Sequence, residues 1–156
     1  MRTFSLLKGQ PIFETTSGVK IGEVTDLWIS KDGTVKGLLV RKGAFFKQTC
    51  FLDIQKIEAF GWDGVMIEDA GCLEKLKESP DFSLMHQNSL EGMMMLSKNG
   101  TTLGLLKDVY FQEEVGTIVG YEITDGFFSE ITEGKQVVQS DKPLTIGKDA
   151  IIVDVN

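Results

Sequence analysis

The sequence of 156 residues is poor in the side chains on which most catalytic and metal sites depend. It has one histidine, His86, and two cysteines, Cys50 and Cys72. Two isolated cysteines are too few for a disulfide framework, and with a single histidine they offer no ligand pair at zinc-site spacing. No glycine-rich phosphate-binding motif is present. We therefore expect no catalytic residues, no metal and no cofactor.

Clustered basic residues and long apolar runs are also missing. The 16 Lys and Arg residues are scattered among 23 Asp and Glu residues, giving a formal net charge of −7. Because a phosphate backbone is bound by clustered positive charge, we expect no direct binding of nucleic acid. No apolar stretch approaches a membrane span, and the first ten residues lack a signal-peptide core. We expect no membrane span and a cytoplasmic location.

What the sequence does contain is an internal repeat. The segment GVKIGEVTDLWISKDGTVKGLLV at 18–40 returns as GTTLGLLKDVYFQEEVGTIVGYEI at 100–123. Two glycines and one aspartate recur 82 positions later, and the offset becomes 83 past the turn. The shared order of glycine, aspartate, turn and apolar run indicates a duplicated structural unit.

Each unit consists of about five short, partly apolar segments separated by glycine-containing turns, which is typical of β-strands. The sequence predicts an all-β fold of two small antiparallel barrels in tandem, at 1–70 and 89–156. Leu73 and Leu76 lie three apart in the connector 71–88, so we expect a short helix there, outside both barrels. Units of about 70 residues are marginal in size, and we expect them to pack together or to form a homo-oligomer.

The repeated glycines and aspartates carry structural predictions. Gly22 and Gly104 lie inside strands, where glycine costs stability, so each predicts a bulge or a sharp bend. Asp26 and Asp108 are expected to accept hydrogen bonds from backbone N–H groups near that bend. A catalytic role is the alternative, but it requires a partner acid or base, and the two copies share none.

Other residues with chemical potential have ordinary structural explanations. His86 is expected to lie on the surface of the connector, because no acid–nucleophile arrangement accompanies it in sequence. Met93 and Met95 would share one strand face and pack in the core. Trp28 and Tyr110 occupy equivalent strand positions and are also predicted to be core residues.

Two phenylalanine pairs are the candidate partner surface. Phe45 and Phe46 follow the first hairpin, and Phe127 and Phe128 follow the second at matching points. Adjacent strand residues face opposite ways, so one phenylalanine of each pair should be in the core. The other either anchors a protein partner or is buried between the barrels, and the sequence leaves both alternatives open.

The two hairpin segments resemble the signature hairpin of PRC-barrel domains, with its Gly, Ile/Leu-Gly, Asp and Gly-turn pattern. The resemblance covers about residues 8–70 and 89–155. It implies a small all-β barrel that serves as an interaction module. Members of that family include the cytoplasmic domain of the photosynthetic reaction-centre H subunit and a domain of a ribosome maturation factor. The two-barrel form is similar to short bacterial proteins of the family.

The leading hypothesis is a non-catalytic protein-interaction or adaptor module built of tandem PRC barrels, with an unidentified protein partner. One alternative is a small-ligand binder or enzyme that uses a cleft between the barrels. Another, by family analogy, is a factor associated with the ribosome or with RNA processing, which the acidic charge disfavours.

Overall fold

A computed structural model describes residues 1–43, 47–124, 136–140 and 142–155. Through residue 83 the elements are β1 (Arg2–Thr3), α1 (Phe4–Leu7), β2 (Pro11–Glu14), β3 (Lys20–Ile29), β4 (Val35–Lys42), β5 (Gln48–Asp53), the 3₁₀ helix η1 (Ile54–Lys56), β6 (Ile57–Phe60), β7 (Val65–Ile67), the 3₁₀ helix η2 (Ala70–Cys72), β8 (Leu73–Lys75) and β9 (Phe82–Ser83). The later strands are β10 (Met94–Ser97), β11 (Thr102–Phe111), β12 (Ile118–Thr124), β13 (Gln136–Gln139), β14 (Thr145–Ile146) and β15 (Ala150–Val153). The predicted all-β fold is confirmed.

The strands form two curled sheets, one for each repeat. Neighbours run β6-β7-β2-β3-β4-β5-β8 in the first sheet and β13-β12-β11-β10-β15-β14 in the second. In each sheet the first strand of the unit pairs antiparallel with the long strand and parallel with a late strand, which are β7 and β15 respectively. The sequence predicts only antiparallel pairing, so these two parallel pairs are a difference from the prediction. Hairpin patterns in a sequence indicate the pairing of consecutive strands and give no information on pairs between distant strands.

The two hairpins have the same register. The long strands β3 and β11 each contain ten residues. Asp26 pairs with Leu39 in the first hairpin, and Asp108 pairs with Glu122 in the second. A register shift precedes each aspartate, so that one extra residue bulges from the long strand at the same place. The sequence repeat is therefore a repeat of strand pairing in detail.

The glycines inside the long strands lie beside a second bulge. The register shifts next to both Gly22 and Gly104, as predicted. A Cβ on Gly22 would lie 2.8 Å from the carbonyl oxygen of Arg41, and one on Gly104 would lie 2.9 Å from that of Thr124. Gly104 also has a φ of +144°, which disfavours other residues. The close approach of the facing strand therefore requires glycine at both positions.

The bulges change which side chains point inward. Trp28 is only half-buried, whereas its neighbours Leu27 and Ile29 are fully buried. Tyr110 is likewise half-buried between two buried neighbours in the second long strand. The prediction that these two aromatic residues belong to the core is therefore wrong, because a bulge shifts the alternation of the strand. Trp28 instead packs edge-on against Phe51, with 4.9 Å between the ring centroids.

The methionine run of the second unit follows the predicted alternation. Met95 is fully buried, Met93 packs against the core, and Met94 between them is 43% exposed. The prediction that Met93 and Met95 are packing residues is therefore confirmed.

The two units share one hydrophobic core. Val24 and Leu38 of the first sheet belong to the same buried cluster as Val109 and Tyr121 of the second. The hairpin tips also meet, since the Val35 N–H donates to the Gly116 carbonyl over 2.8 Å. Each marginal unit therefore completes its core with the other.

The connector differs from its prediction in two ways. Residues 73–75 form strand β8, which pairs with β5, instead of the expected helix. The connector also does not lie outside the barrels, because β8 and β9 both belong to the first sheet. A short isolated helix is marginal in water, so pairing with the free edge of β5 decides the conformation. The helical structure at the connector is limited to the 3₁₀ turn Ala70–Cys72, at its beginning.

Candidate functional site

The segment that precedes each unit crosses to the sheet of the other unit. We call residues 2–10 the first arm and residues 82–93 the second arm. Thr3 of the first arm pairs with Tyr110 in β11, and Ser83 of the second arm pairs with Trp28 in β3. Because Trp28 and Tyr110 are equivalent in the repeat, the two arms occupy equivalent places. Sequence reasoning missed this exchange. Both arms contain the letters FSL, 78 positions apart, but the paired residues Thr3 and Ser83 are 80 positions apart.

Asp108 holds the first arm. It is 3% exposed, and its carboxylate accepts hydrogen bonds from the backbone N–H groups of Phe4 and Ser5, each over 3.1 Å. It also accepts the N–H of Val109 over 2.8 Å. Three N–H donors compensate the buried charge and satisfy backbone groups at the start of α1. The expected bonds to backbone N–H groups are present, but two of the donors come from a segment about 100 residues away.

Asp26 holds the second arm in the same way. It is 1% exposed and accepts the N–H groups of Leu84 over 3.0 Å and of His86 over 2.9 Å. Met85 donates to both of its oxygens, over 3.1 and 3.3 Å, and Leu27 donates over 2.8 Å. Four backbone donors surround one carboxylate, so Asp26 has the larger network of the two aspartates.

His86 is a surface residue with a fixed ring. Its side chain is 60% exposed, as predicted for the connector, but its Nδ1 lies 2.6 Å from Oδ2 of Asp26. Because the carboxylate can only accept, Nδ1 carries the proton of this hydrogen bond. Within the described ranges, no three His, Cys, Asp or Glu side chains come together as metal ligands would.

A tryptophan at the end of the first sheet is almost fully exposed to solvent. Trp62 is 82% exposed and lies in the turn between β6 and β7. The turn is held from beneath by Arg2, which is only 8% exposed. The Arg2 guanidinium donates to the carbonyls of Phe60 over 2.9 Å and Gly61 over 2.7 Å, and its carbon lies 5.5 Å from the centre of a Trp62 ring. Gln10 donates to the Trp62 carbonyl over 2.9 Å.

An acidic cavity of about 410 Å³ lies next to this turn. Ile57 and Phe60 contribute apolar surface to it, and three glutamates line it, namely Glu58, Glu113 and Glu114. Glu113 connects the cavity to the turn, because its Oε2 lies 3.6 Å from Nε of Arg2. We call Trp62 and this cavity together the Trp62 surface. Sequence reasoning missed it, because an aromatic residue between two glycines is typical of an ordinary turn.

The predicted partner residues Phe45, Phe46, Phe127 and Phe128 lie outside the described residues. The assignment of a partner surface to them stays a prediction from the sequence.

The fold consists of two curled sheets, each a half-barrel, that exchange arms around a shared core. These features define the class as a tandem protein of small β-barrel type. The model of the PRC-barrel domain family matches this chain twice, at residues 1–71 and 83–156, and the second match begins within the second arm. The two matches cover nearly the whole sequence. The chain belongs to the PRC-barrel domain family.

One relative of similar overall length matches almost the whole chain. The chain is 27% identical over 156 residues to "Uncharacterized protein YrrD" of Bacillus subtilis (strain 168), covering 99% of this chain and 88% of YrrD. In the part of the chain that the structure describes, there is no helix with the length and apolar character needed to cross a bilayer.

Proposed function

We propose that this protein is a non-catalytic protein-interaction module whose partner docks on the Trp62 surface. The observation that supports this most directly is the 82% exposure of Trp62. A tryptophan side chain offers a large area for burial, and residues of this type dominate the binding energy of protein interfaces. A solvated tryptophan gains that energy only when a partner covers it.

The turn that carries Trp62 is organised before any partner arrives. Two charge-assisted hydrogen bonds from the buried Arg2 and one bond from Gln10 fix its backbone. A rigid binding residue loses less conformational entropy on association than a flexible one. A backbone that is already fixed supports a role in recognition.

The charges around Trp62 indicate the chemistry of the partner. Glu58 and Glu114 line the adjoining cavity beside apolar surface from Ile57. A lysine or arginine side chain would place its aliphatic part on that surface and its charge near the glutamates. The occupant we propose is therefore a basic segment of a protein partner. We place the interaction in the cytoplasm, where the free thiols of Cys50 and Cys72 would stay reduced.

The proposal is tested by photo-cross-linking in cells from position 63, an exposed neighbour that leaves Trp62 in place, followed by binding measurements with the purified partner. Trp62→Ala is expected to weaken binding at least about 30-fold, which corresponds to about 2 kcal/mol. Val137→Ala, which changes an exposed residue of the second sheet, serves as the control and should leave affinity unchanged. Glu58→Gln with Glu114→Gln should weaken binding and reduce its dependence on salt.

Fluorescence gives an independent readout. Trp28→Phe leaves Trp62 as the single tryptophan of the chain and removes a buried indole N–H that has no hydrogen-bond partner. Binding of the partner should then shift the Trp62 emission to shorter wavelength as the ring leaves water. Wild-type affinity in Trp62→Ala, or an unshifted emission at saturation, would show that the partner docks elsewhere.

A further inference from the structure

Each repeat has a cavity beside its shared aspartate. The cavity next to Asp26 has a volume of about 320 Å³, and the cavity next to Asp108 has a volume of about 390 Å³. Both volumes lie at the lower end of the range for small-molecule sites. The cavity next to Asp108, which we call the arm cavity, forms where the two arms meet. Its lining includes residues of both arms: Phe4, Ser5, Leu84 and Met85.

The two cavities differ at two pairs of equivalent lining positions, since Thr25 and Leu39 of the first correspond to Lys107 and Glu122 of the second. Leu39 pairs with Asp26 across the first hairpin, and Glu122 pairs with Asp108 across the second. Both side chains are buried, with exposures of 6% for Leu39 and 4% for Glu122. The repeat therefore provides an internal comparison: the scaffold accepts threonine and leucine at these two places, so the fold does not require the Lys107–Glu122 pair there. Burying a carboxylate in place of leucine is unfavourable unless it is well paired.

Among the residues that the structure describes, the pairing of Glu122 is poor. Its Oε1 lies 3.8 Å from Nζ of Lys107, a distance too long for a hydrogen bond, and the lysine side chain is 60% exposed. The neighbouring Asp108 carboxylate already accepts three N–H groups. Lys8 and Glu91 also line the arm cavity. Among the described residues around the cavity, three carboxylates thus face two lysines, which leaves an excess of negative charge around Glu122.

We propose that the arm cavity binds a small organic cation, namely an ammonium or guanidinium group attached to a short apolar chain. The cation donates hydrogen bonds to the Glu122 carboxylate and displaces Lys107, which moves into water. The apolar chain contacts Phe4 and Leu84. The arm cavity shares no lining residue with the acidic cavity of the Trp62 surface, so this proposal stands independently of the proposed function.

A titration followed by NMR of the backbone amides of the full chain tests the proposal. The probes are n-butylammonium and methylguanidinium, with butyrate as the anionic control of similar size. We expect saturable shifts at the amides of Ser5, Leu84 and Met85 with both cations and none with butyrate. Glu122→Gln should lower the affinity for the cations at least tenfold. Glu23→Gln, which makes the same charge change at an exposed ion pair that does not line the arm cavity, should leave it unchanged.

A stability measurement separates a binding role from a structural one. Glu122→Leu introduces the residue of the equivalent position 39, so it should fold with an unchanged or higher denaturation midpoint and should not bind the cations. Shifts that fail to saturate with either cation overturn the proposal, as does wild-type affinity in Glu122→Gln. Marked destabilisation of both Glu122 variants also overturns it, because Glu122 would then be part of the structural framework.

Discussion

The carboxylate of Asp26 lies 3.0 Å from the backbone nitrogen of Leu84, which is 58 residues further along the chain. Its counterpart Asp108 lies 3.1 Å from the backbone nitrogen of Phe4, which precedes it by 104 residues. One aspartate of each repeat therefore binds the arm that precedes the other repeat's core. The recurrence of this residue in both copies is explained by the exchange of arms, and it needs no catalytic role.

The first prediction concerns these two aspartates. Asp26→Ala and Asp108→Ala leave buried N–H groups without acceptors, and each unsatisfied donor costs about 1–3 kcal/mol. We expect each substitution to lower the free energy of unfolding by at least about 2 kcal/mol, with the larger loss for Asp26, which has more donors. Urea denaturation measures this effect. The exposed Asp63→Ala is the control, and losses no larger than its own would contradict the role assigned to the aspartates.

A second prediction concerns the strand glycines. Gly22→Val and Gly104→Val should each destabilise the fold by about 1 kcal/mol or more, because the new side chain meets a carbonyl of the facing strand. Two causes of destabilisation, a steric clash and backbone strain, are separated by Gly9→Ala. Gly9 has a φ of +82° but no atom within 4 Å of an added Cβ, so this variant tests backbone strain without a clash. Denaturant midpoints equal to wild type in both valine variants would rule out the close approach as the reason for glycine.

The third prediction is a loss of stability at alkaline pH. Burial raises the pKa of Tyr121 well above its ordinary value of 10.0. Because the folded pKa exceeds the unfolded one, the full stabilisation is present below about pH 10 and is lost as pH rises above it. The free energy of unfolding should then fall by about 1.4 kcal/mol per pH unit through this group. Tyr121→Phe should show a shallower slope in denaturation curves recorded from pH 9 to 11, and an identical slope would count against the burial of the phenol.

The fourth prediction is that nucleic acid is not bound tightly. Affinity for a phosphate backbone increases with the number of phosphates that a protein neutralises, and the formal net charge here is −7. Fluorescence anisotropy with labelled RNA and duplex DNA at physiological salt should show no submicromolar binding. Tight binding with a steep dependence on salt would favour the alternative of an RNA-associated factor.

The sequence alone predicts the parts of the fold that depend on local pattern. The glycine and aspartate repeat located β3 and β11 and predicted the bulges beside Gly22 and Gly104. Such bulges can be predicted because a close approach of two strands requires glycine. It could not indicate the parallel pairing of β2 with β7, or the pairing of Thr3 with Tyr110. Those contacts join residues far apart in sequence, and strands of two to four residues have no measurable periodicity.

The candidate sites were less accessible to sequence reasoning for the same reason. The backbone of the turn that carries Trp62 is held by Arg2, which lies 60 positions earlier in the sequence. Glu122 is unusual only once its register partner Asp108 and its equivalent Leu39 are known. Both features depend on long-range geometry, whereas the His86 prediction, based on isolation in sequence, was correct about surface exposure but did not include the contact with Asp26.

The crossed arms have a consequence for synthesis on the ribosome. The first arm leaves the ribosome early, but its docking strand β11 (Thr102–Phe111) is complete only after about a hundred more residues. Translation adds about 5–20 residues per second, so roughly 5–20 s pass before this docking strand is complete. During that time Phe4 and Leu7, both buried in the folded protein, have no site to pack into. The first sheet is likewise incomplete until β9 (Phe82–Ser83) emerges. The order of translation therefore makes the last steps of folding depend on the second half of the chain, and the nascent first half exposes apolar surface to chaperones during that interval.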